Sequence, residues 1–158
     1  MFSVYRLTFP TGKTYIGYTG QKPQQRWRSG WGYQEHTEMF ADIIEYGWRN
    51  ITKEVIATEE DKKRAQLLEQ YYIFIENEQN ECGTYNKCNE LHAKKMIYCE
   101  ETEQIYSSVR DAAFEIGVSR QALSRVLNGR GELCGGCHWR YMDAVEWVEK
   151  FILGKEDC

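Results

Sequence analysis

The first twenty residues constrain this chain more than any other stretch. Phe2-Ser3-Val4-Tyr5-Arg6-Leu7-Thr8-Phe9 alternates polar and apolar side chains, and Pro10-Thr11-Gly12-Lys13 is turn chemistry. Thr14-Tyr15-Ile16-Gly17-Tyr18-Thr19 is a second run of aromatic and β-branched residues. Two such runs around a glycine-containing turn form a β-hairpin. Beyond it, residues 24–27 suit a short helix. Residues 36–46 suit a second one, with Thr37 as N-cap and Gly47 as its stop. Residues 51–57 (ITKEVIA) read as a third strand. The run Thr58-Glu59-Glu60-Asp61 then predicts a helix start, with capping-box spacing and acids in the first turn. Leu68, Tyr71, Tyr72 and Ile75 fall on one face of that helix, which is expected to end near Gln79, with a turn-like stretch at 82–89.

The pattern restarts after a boundary near residues 91–95. Residues 95–99 and 104–106 read as two short strands around an acidic turn. Ser107 or Ser108 caps a helix over 109–116, and Ser119 caps a second over 120–127 that Asn128-Gly129 ends. Residues 137–141 suit a last strand and 143–153 a closing amphipathic helix. The expectation is therefore an α+β protein. A small antiparallel three-stranded sheet flanked by helices occupies residues 1–92, and a strand and helix–turn–helix module with a C-terminal helix occupies 93–158.

Charge bears on function through its distribution. The net charge of −4 argues against a polyanionic partner, yet residues 1–34 hold Arg6, Lys13, Lys22, Arg26 and Arg28 with no acid, and residues 119–130 hold three arginines with none. Most of the acidic excess lies between them, over residues 54–81. Local patches decide whether a phosphate backbone docks. No run approaches the ~18 apolar residues of a membrane span, and the N-terminus lacks the basic-then-apolar order of a signal peptide. Six cysteines without a secretory signal read as reduced thiols. An intracellular, cytoplasmic protein of prokaryotic, phage or viral origin with no membrane partner is expected.

The C-terminal spacing carries its own chemistry. Ala113 is a small residue where two helices cross, Gly117 stands in the turn four residues on, and Leu123 is an apolar core position six beyond. The second helix then exposes Ser119, Arg120, Gln121, Ser124, Arg125 and Asn128, with Arg130 just after it. These side chains read phosphates and base edges. The stretch IYSSVRDAAFEIGVSRQALSRVLNGR (105–130), followed by GCHWRY (136–141), also resembles the nuclease-associated modular DNA-binding domain of homing endonucleases. That resemblance implies sequence-biased binding of double-stranded DNA.

In the N-terminal segment Tyr5 and Tyr15 sit on adjacent hairpin strands. Arg26-Trp27 follows, His36 precedes the second helix, Glu69 lies on the third, and Asn86 lies in the loop after it. A phenol pair, a guanidinium, an imidazole, a carboxylate and an amide beside a positive hairpin suit phosphodiester hydrolysis, which needs a cation, a metal-holding carboxylate and proton carriers. Spacing alone does not establish that site. The ordered set VYR…TYIG, RW, IIEYGW, LLEQYYI and TYN resembles the GIY-YIG nuclease domain over residues 1 to about 90, with Ser3 in place of its first glycine.

The resemblance implies a divalent cation, Mg²⁺ or Mn²⁺, on Glu69. It implies that Tyr5 or Tyr15 is the general base or positions the attacking water, that Arg26 is on the scissile phosphate, that His36 assists, and that Asn86 supports the site. Lys13 and Arg28 are expected on the DNA, and with Arg26 and the metal they would have to lower a phenol whose ordinary pKa is about 10. Relatives carry His or Tyr four residues after the arginine, where this chain has Gly30, so Tyr33 or His36 would have to take its place.

Two other readings stay open: a weak or inactive DNA-binding regulator that keeps the fold, and a structure-specific or restriction-type nuclease. A monomer, or a transient dimer on DNA, suits one active site per chain. The cysteines raise a separate zinc possibility, with Cys134, Cys137 and His138 joined by Cys82, Cys88 and His92.

Overall fold

The computed structural model describes residues 1–87 and 95–154. The chain divides into two units, 1–89 and 90–158, each with its own sheet and core.

The fold is α+β. In the first unit, β1 (Phe2–Thr8) lies between β2 (Thr14–Thr19) and β3 (Thr52–Glu59), paired antiparallel to both in the order β2-β1-β3. The predicted alternation holds in β1 from Tyr5 onward and breaks at Val4 and Tyr5, which are both fully buried. Tyr5 and Leu7, with Phe9 just past its end, bury one face together with Tyr15 of β2. Against that face pack α1 (Pro23–Trp27), a 3₁₀ segment over Arg28–Tyr33, and α2 (Thr37–Tyr46), through Trp27, Tyr33, Met39 and Ile43. Trp48, half-buried, packs on the same cluster. α3 (Lys62–Gln79) buries Ala65, Leu68 and Tyr71 and leaves Tyr72 and Ile75 half-buried. It is tied to the sheet by an Arg6–Glu76 ion pair of 2.9 Å and by the Thr14 hydroxyl, which donates to Glu76 at 2.8 Å.

Four local expectations change, one of them in the last strand of the second unit. Thr58 does not open α3, because Thr58 and Glu59 complete β3 and pair with Ser3 and Phe2. The cap is Asp61, whose carboxylate accepts the Arg64 N–H at 2.9 Å. Strand pairing outweighed a local capping pattern. His36, not Thr37, stands at the N-cap of α2. The closing helix is α only over Ala144–Trp147 and widens into a π turn over Val148–Ile152, with Asp143 ending the preceding strand and capping it.

The second unit orders its strands β5-β4-β6, from β4 (Lys95–Cys99), β5 (Gln104–Tyr106) and β6 (Trp139–Asp143), all antiparallel. The last strand begins two residues later than the sequence suggested. α4 (Val109–Ile116) is capped by Ser108 and α5 (Arg120–Leu127) by Ser119, each hydroxyl accepting a backbone N–H at 3.1 Å. Between them Gly117 is left-handed at φ 72°, and Ala113 and Leu123 are buried at the crossing with Ile97, Tyr106 and Trp139. Among the described residues no helix is long and apolar enough to cross a membrane.

Candidate active site

β2 is an edge strand, and the way its free edge is covered builds the site. An unpaired edge leaves N–H and C=O groups without partners. The Thr14 N–H donates to the Gly83 carbonyl at 3.2 Å and the Tyr85 N–H to the Thr14 carbonyl at 2.9 Å, a short parallel bridge. Two residues along, the Asn86 side chain imitates a peptide: its Oδ1 accepts the Ile16 N–H at 2.7 Å and its Nδ2 donates to the Ile16 carbonyl at 2.8 Å. Next on the edge, the Tyr18 N–H donates to Glu69 Oε1 at 3.1 Å. Asn86 and Glu69 are thus anchored to one strand edge, beside the strand that carries Tyr15.

Tyr5 faces Gly17 across the β1/β2 ladder. A Cβ at Gly17 would lie 2.7 Å from the Tyr5 hydroxyl and 3.0 Å from the Tyr15 ring, so only glycine admits both phenols here. On the other side of β1 the register with β3 shifts between Val4 and Tyr5, leaving Ile56 unpaired. A bulge of this kind re-aims a neighbouring side chain. Tyr5 is fully buried, edge-on to Trp27 at 5.6 Å.

Tyr33 completes a group that the sequence only hinted at. It is fully buried, its hydroxyl donates to the Tyr5 hydroxyl at 2.8 Å, and its ring meets Tyr15 edge-on at 5.5 Å. Arg26 stacks on Tyr33, with the guanidinium 4.9 Å from the ring centre, and donates to the Gly32 carbonyl at 2.7 Å. The segment 28–33 makes this possible by turning sharply, with Arg28, Ser29 and Gly30 all at positive φ. Gly30 has no room for a larger residue: at φ 95°, its Cβ would sit 2.8 Å from Ile43 and 3.2 Å from Trp48. Of the two residues expected to take the place of the absent His or Tyr, Tyr33 lies buried against Tyr5 and Tyr15, and His36 lies at the rim. His36 is exposed, with its ring 5.5 Å from Tyr15 and 6.2 Å from Tyr33.

The remaining predicted residues lie further out. Lys13 is ion-paired with Glu38 at 2.9 Å and rests over the Tyr85 ring. Arg6 is likewise neutralised by Glu76. Arg28 is exposed and, with Arg26, Trp31, Gln34 and Glu35, lines a shallow groove of about 290 Å³. In the second unit Ser119, Arg120, Gln121, Ser124, Arg125, Asn128 and Arg130 together line an open groove of about 630 Å³.

Electrostatics divides the polar groups into two kinds. Burial pushes the phenols of Tyr5, Tyr15 and Tyr33 above their ordinary range, and the nearby Arg26 offsets this only in part. The expectation that neighbouring cations make a phenol basic is reversed by desolvation in the protein alone. Glu69 is half-buried, and desolvation pushes it up to about 7 against the opposing Tyr18 N–H. Among the described residues no cation pairs with it, and its hydrogen bond is the one from the Tyr18 N–H. A carboxylate held so, with a partly unsatisfied pair of oxygens, fits a hard divalent cation that keeps several waters.

Residues 1–86 match the GIY-YIG catalytic domain. The chain belongs to the GIY-YIG family. No curated protein and no solved structure matches it. The match ends at Asn86, the residue that locks the β2 edge. The family is one of nucleases, generally dependent on a divalent metal, and DNA is the substrate that a nuclease domain implies. The GIY-YIG domain here thus brings Tyr5, Tyr15, Arg26, His36, Glu69 and Asn86 to the β2 edge and the sheet face beside it. Tyr33 is the residue whose place in that group the sequence offered only as a substitute.

Proposed function

We propose that this protein is a DNA endonuclease that hydrolyses phosphodiester bonds with Mg²⁺ or Mn²⁺ on Glu69, and that α4 and α5 direct it to duplex DNA as a helix–turn–helix. The observation that carries the reading is the convergence of Glu69, Arg26 and three buried tyrosines at one strand edge. When bound, the cation supplies Lewis-acid stabilisation to the phosphate and the departing oxygen.

The chain's own residues do the rest. Arg26 binds a non-bridging phosphate oxygen with the donors it does not spend on Gly32, and its charge offsets the charge that develops in the transition state. Tyr15 keeps its proton and orients the attacking water through its hydroxyl oxygen. Tyr5 is held in line by the Tyr33 hydroxyl. His36, at the rim beside Tyr15, takes the proton that the water loses and passes it to solvent. Asn86 keeps the β2 edge straight, so Tyr15 and Tyr18 stay in register with Glu69. Arg28 contacts the flanking backbone.

In the second unit Arg120, Gln121 and Ser124 face base edges, while Arg125, Asn128 and Arg130 grip phosphates. Homing-type targeting follows from that module. A regulator that binds without cutting is the competing reading, and Gly30 alone no longer favours it, since Tyr33 fills the neighbourhood. The deciding experiment is supercoiled plasmid with Mg²⁺, with EDTA and with Glu69→Ala. Metal-dependent nicking lost in the variant, with duplex binding kept, supports the nuclease. Binding without cutting by the wild type, across several divalent metals and substrates, sinks it.

A further inference from the structure

The second unit gathers a set of metal-ligand side chains that the nuclease reading does not use. β4 ends at Cys99, and the turn that follows carries Glu101. Far along the chain, Cys134 and Cys137 pair across a two-residue hairpin, the Cys134 N–H donating to the Cys137 carbonyl at 3.0 Å and the reverse bond measuring 3.2 Å. The turn between them consists of Gly135 and Gly136, both at positive φ, the backbone of a tight primed turn. Such a hydrogen-bonded pair directs both thiols to one face.

The result is a convergence. The sulfurs of Cys99 and Cys137 and a Glu101 carboxylate oxygen all lie within 4.8 Å of one another. Glu101, itself exposed, is held by His138, whose backbone N–H donates to both carboxylate oxygens at 3.1 and 2.8 Å and whose Nδ1 lies 2.5 Å from Oε1. Cys99 is 1% exposed and Cys134 7%, both thiols are free, and both pack in the core with Leu123 and Trp139.

We propose that Cys99, Glu101 and Cys137 bind a thiophilic divalent cation of the zinc class, with His138 holding the carboxylate in place and a water completing the set. Two thiolates and a carboxylate are ligand types that zinc takes, and a ligating carboxylate is ordinarily hydrogen-bonded in turn, as Glu101 is to His138. Binding releases the thiol protons and leaves the sulfurs on the metal. The site joins the β4–β5 turn to the hairpin after α5, so it closes a loop that contains both helices of the proposed DNA reader. This set differs from the one the sequence raised, which joined Cys134, Cys137 and His138 to Cys82, Cys88 and His92. Cys88 and His92 lie outside the described residues, Cys82 belongs to the first unit, and among the described residues Cys99 and Glu101 are the neighbours of Cys137.

Titration of the full, phosphine-reduced chain with Co²⁺ tests this. One equivalent is expected to give a sulfur-to-cobalt charge-transfer band with the strong visible bands of tetrahedral cobalt, displaced by one equivalent of Zn²⁺. Cys137→Ser should lose most of the charge-transfer intensity, and Glu101→Gln should weaken binding at least tenfold. Both positions are at least partly solvent-accessible, so folding, checked by circular dichroism, should survive. Cys82→Ser and Glu69→Ala should leave the band unchanged, the latter because oxygen donors give no sulfur transition. A reduced wild type without the band, or a Cys137→Ser variant that keeps it, overturns the site.

Discussion

At the scale of single residues, Tyr33 and Glu69 show what burial does to polar groups. The Tyr33 hydroxyl is the donor that fixes Tyr5, and its ring carries Arg26. Tyr33→Phe keeps the ring and the stacking but leaves the buried Tyr5 oxygen without that donor. A lost buried hydrogen bond of this kind is worth about 1–3 kcal/mol, so kcat should fall roughly 10- to 100-fold. KM should change little, while the thermal midpoint of the unit should fall by several degrees. Steady-state cleavage of a labelled duplex reads this, and an equal loss in both parameters would contradict the positioning role.

Glu69 makes an opposite trade. Its native pKa, about 7, lies above the ordinary value of 4.5 because it is desolvated. Between those values the native state binds more protons than the unfolded chain, so this group lowers stability as pH rises, and the full cost is present above pH 7. Glu69→Gln keeps the acceptor for the Tyr18 N–H and removes the charge. The metal-free variant should therefore be more stable than wild type at pH 8, by about 1–2 kcal/mol after allowing for its partial exposure, and equal to it near pH 4. It should also be inactive. Denaturant melts at the two pH values check the sign.

At the scale of elements, the 28–33 segment and the β2 edge carry the site. Gly30 allows the chain to reverse so that Gly32 accepts from Arg26 and Tyr33 swings under Tyr5. Gly30→Tyr, which places the relatives' residue at the relatives' position, should fail to raise activity. Positive φ and the contacts with Ile43 and Trp48 should destabilise the unit by about 2–4 kcal/mol. A variant that melts like wild type and cuts faster would show that the reversal is not required. The β2 edge explains why an asparagine lies at the end of the catalytic match. A peptide-like side chain finishes a ladder that, among the described residues, is continued only by the Thr14–Thr84 bridge.

At the scale of the whole molecule, charge is allotted unit by unit. The first unit spends Arg6 and Lys13 on Glu76 and Glu38, which leaves Arg26 and Arg28 along its groove. The second unit keeps Arg120, Arg125 and Arg130 together along another. Arg125→Ala should weaken duplex binding and reduce the salt slope by about one, while cleavage at saturating DNA is unchanged. A salt titration of binding beside single-turnover cleavage measures both. An unaltered slope would remove α5 from the interface.

Much of this protein was legible in its residues because the signals are local. Alternation predicts β1 and β2, serine and glycine punctuation predicts α4 and α5, and the small Ala113 with Leu123 predicts their crossing. The motif order also placed Tyr5, Tyr15, Arg26, His36, Glu69 and Asn86 in one neighbourhood, which the β2 edge realises. The rest depended on separations the chain does not advertise. Thr58 belongs to a strand because Ser3 pairs with it, and Tyr33 reaches Tyr5 because three successive residues adopt positive φ. The phenols are raised because the fold excludes water from them, an effect that composition does not encode. Cys99 and Cys137 meet although 38 positions separate them in the sequence. Sequence by itself determined which elements form and which polar groups they carry. Tertiary structure alone decided which polar groups share a desolvated space, because contact and dielectric are properties of the packed chain.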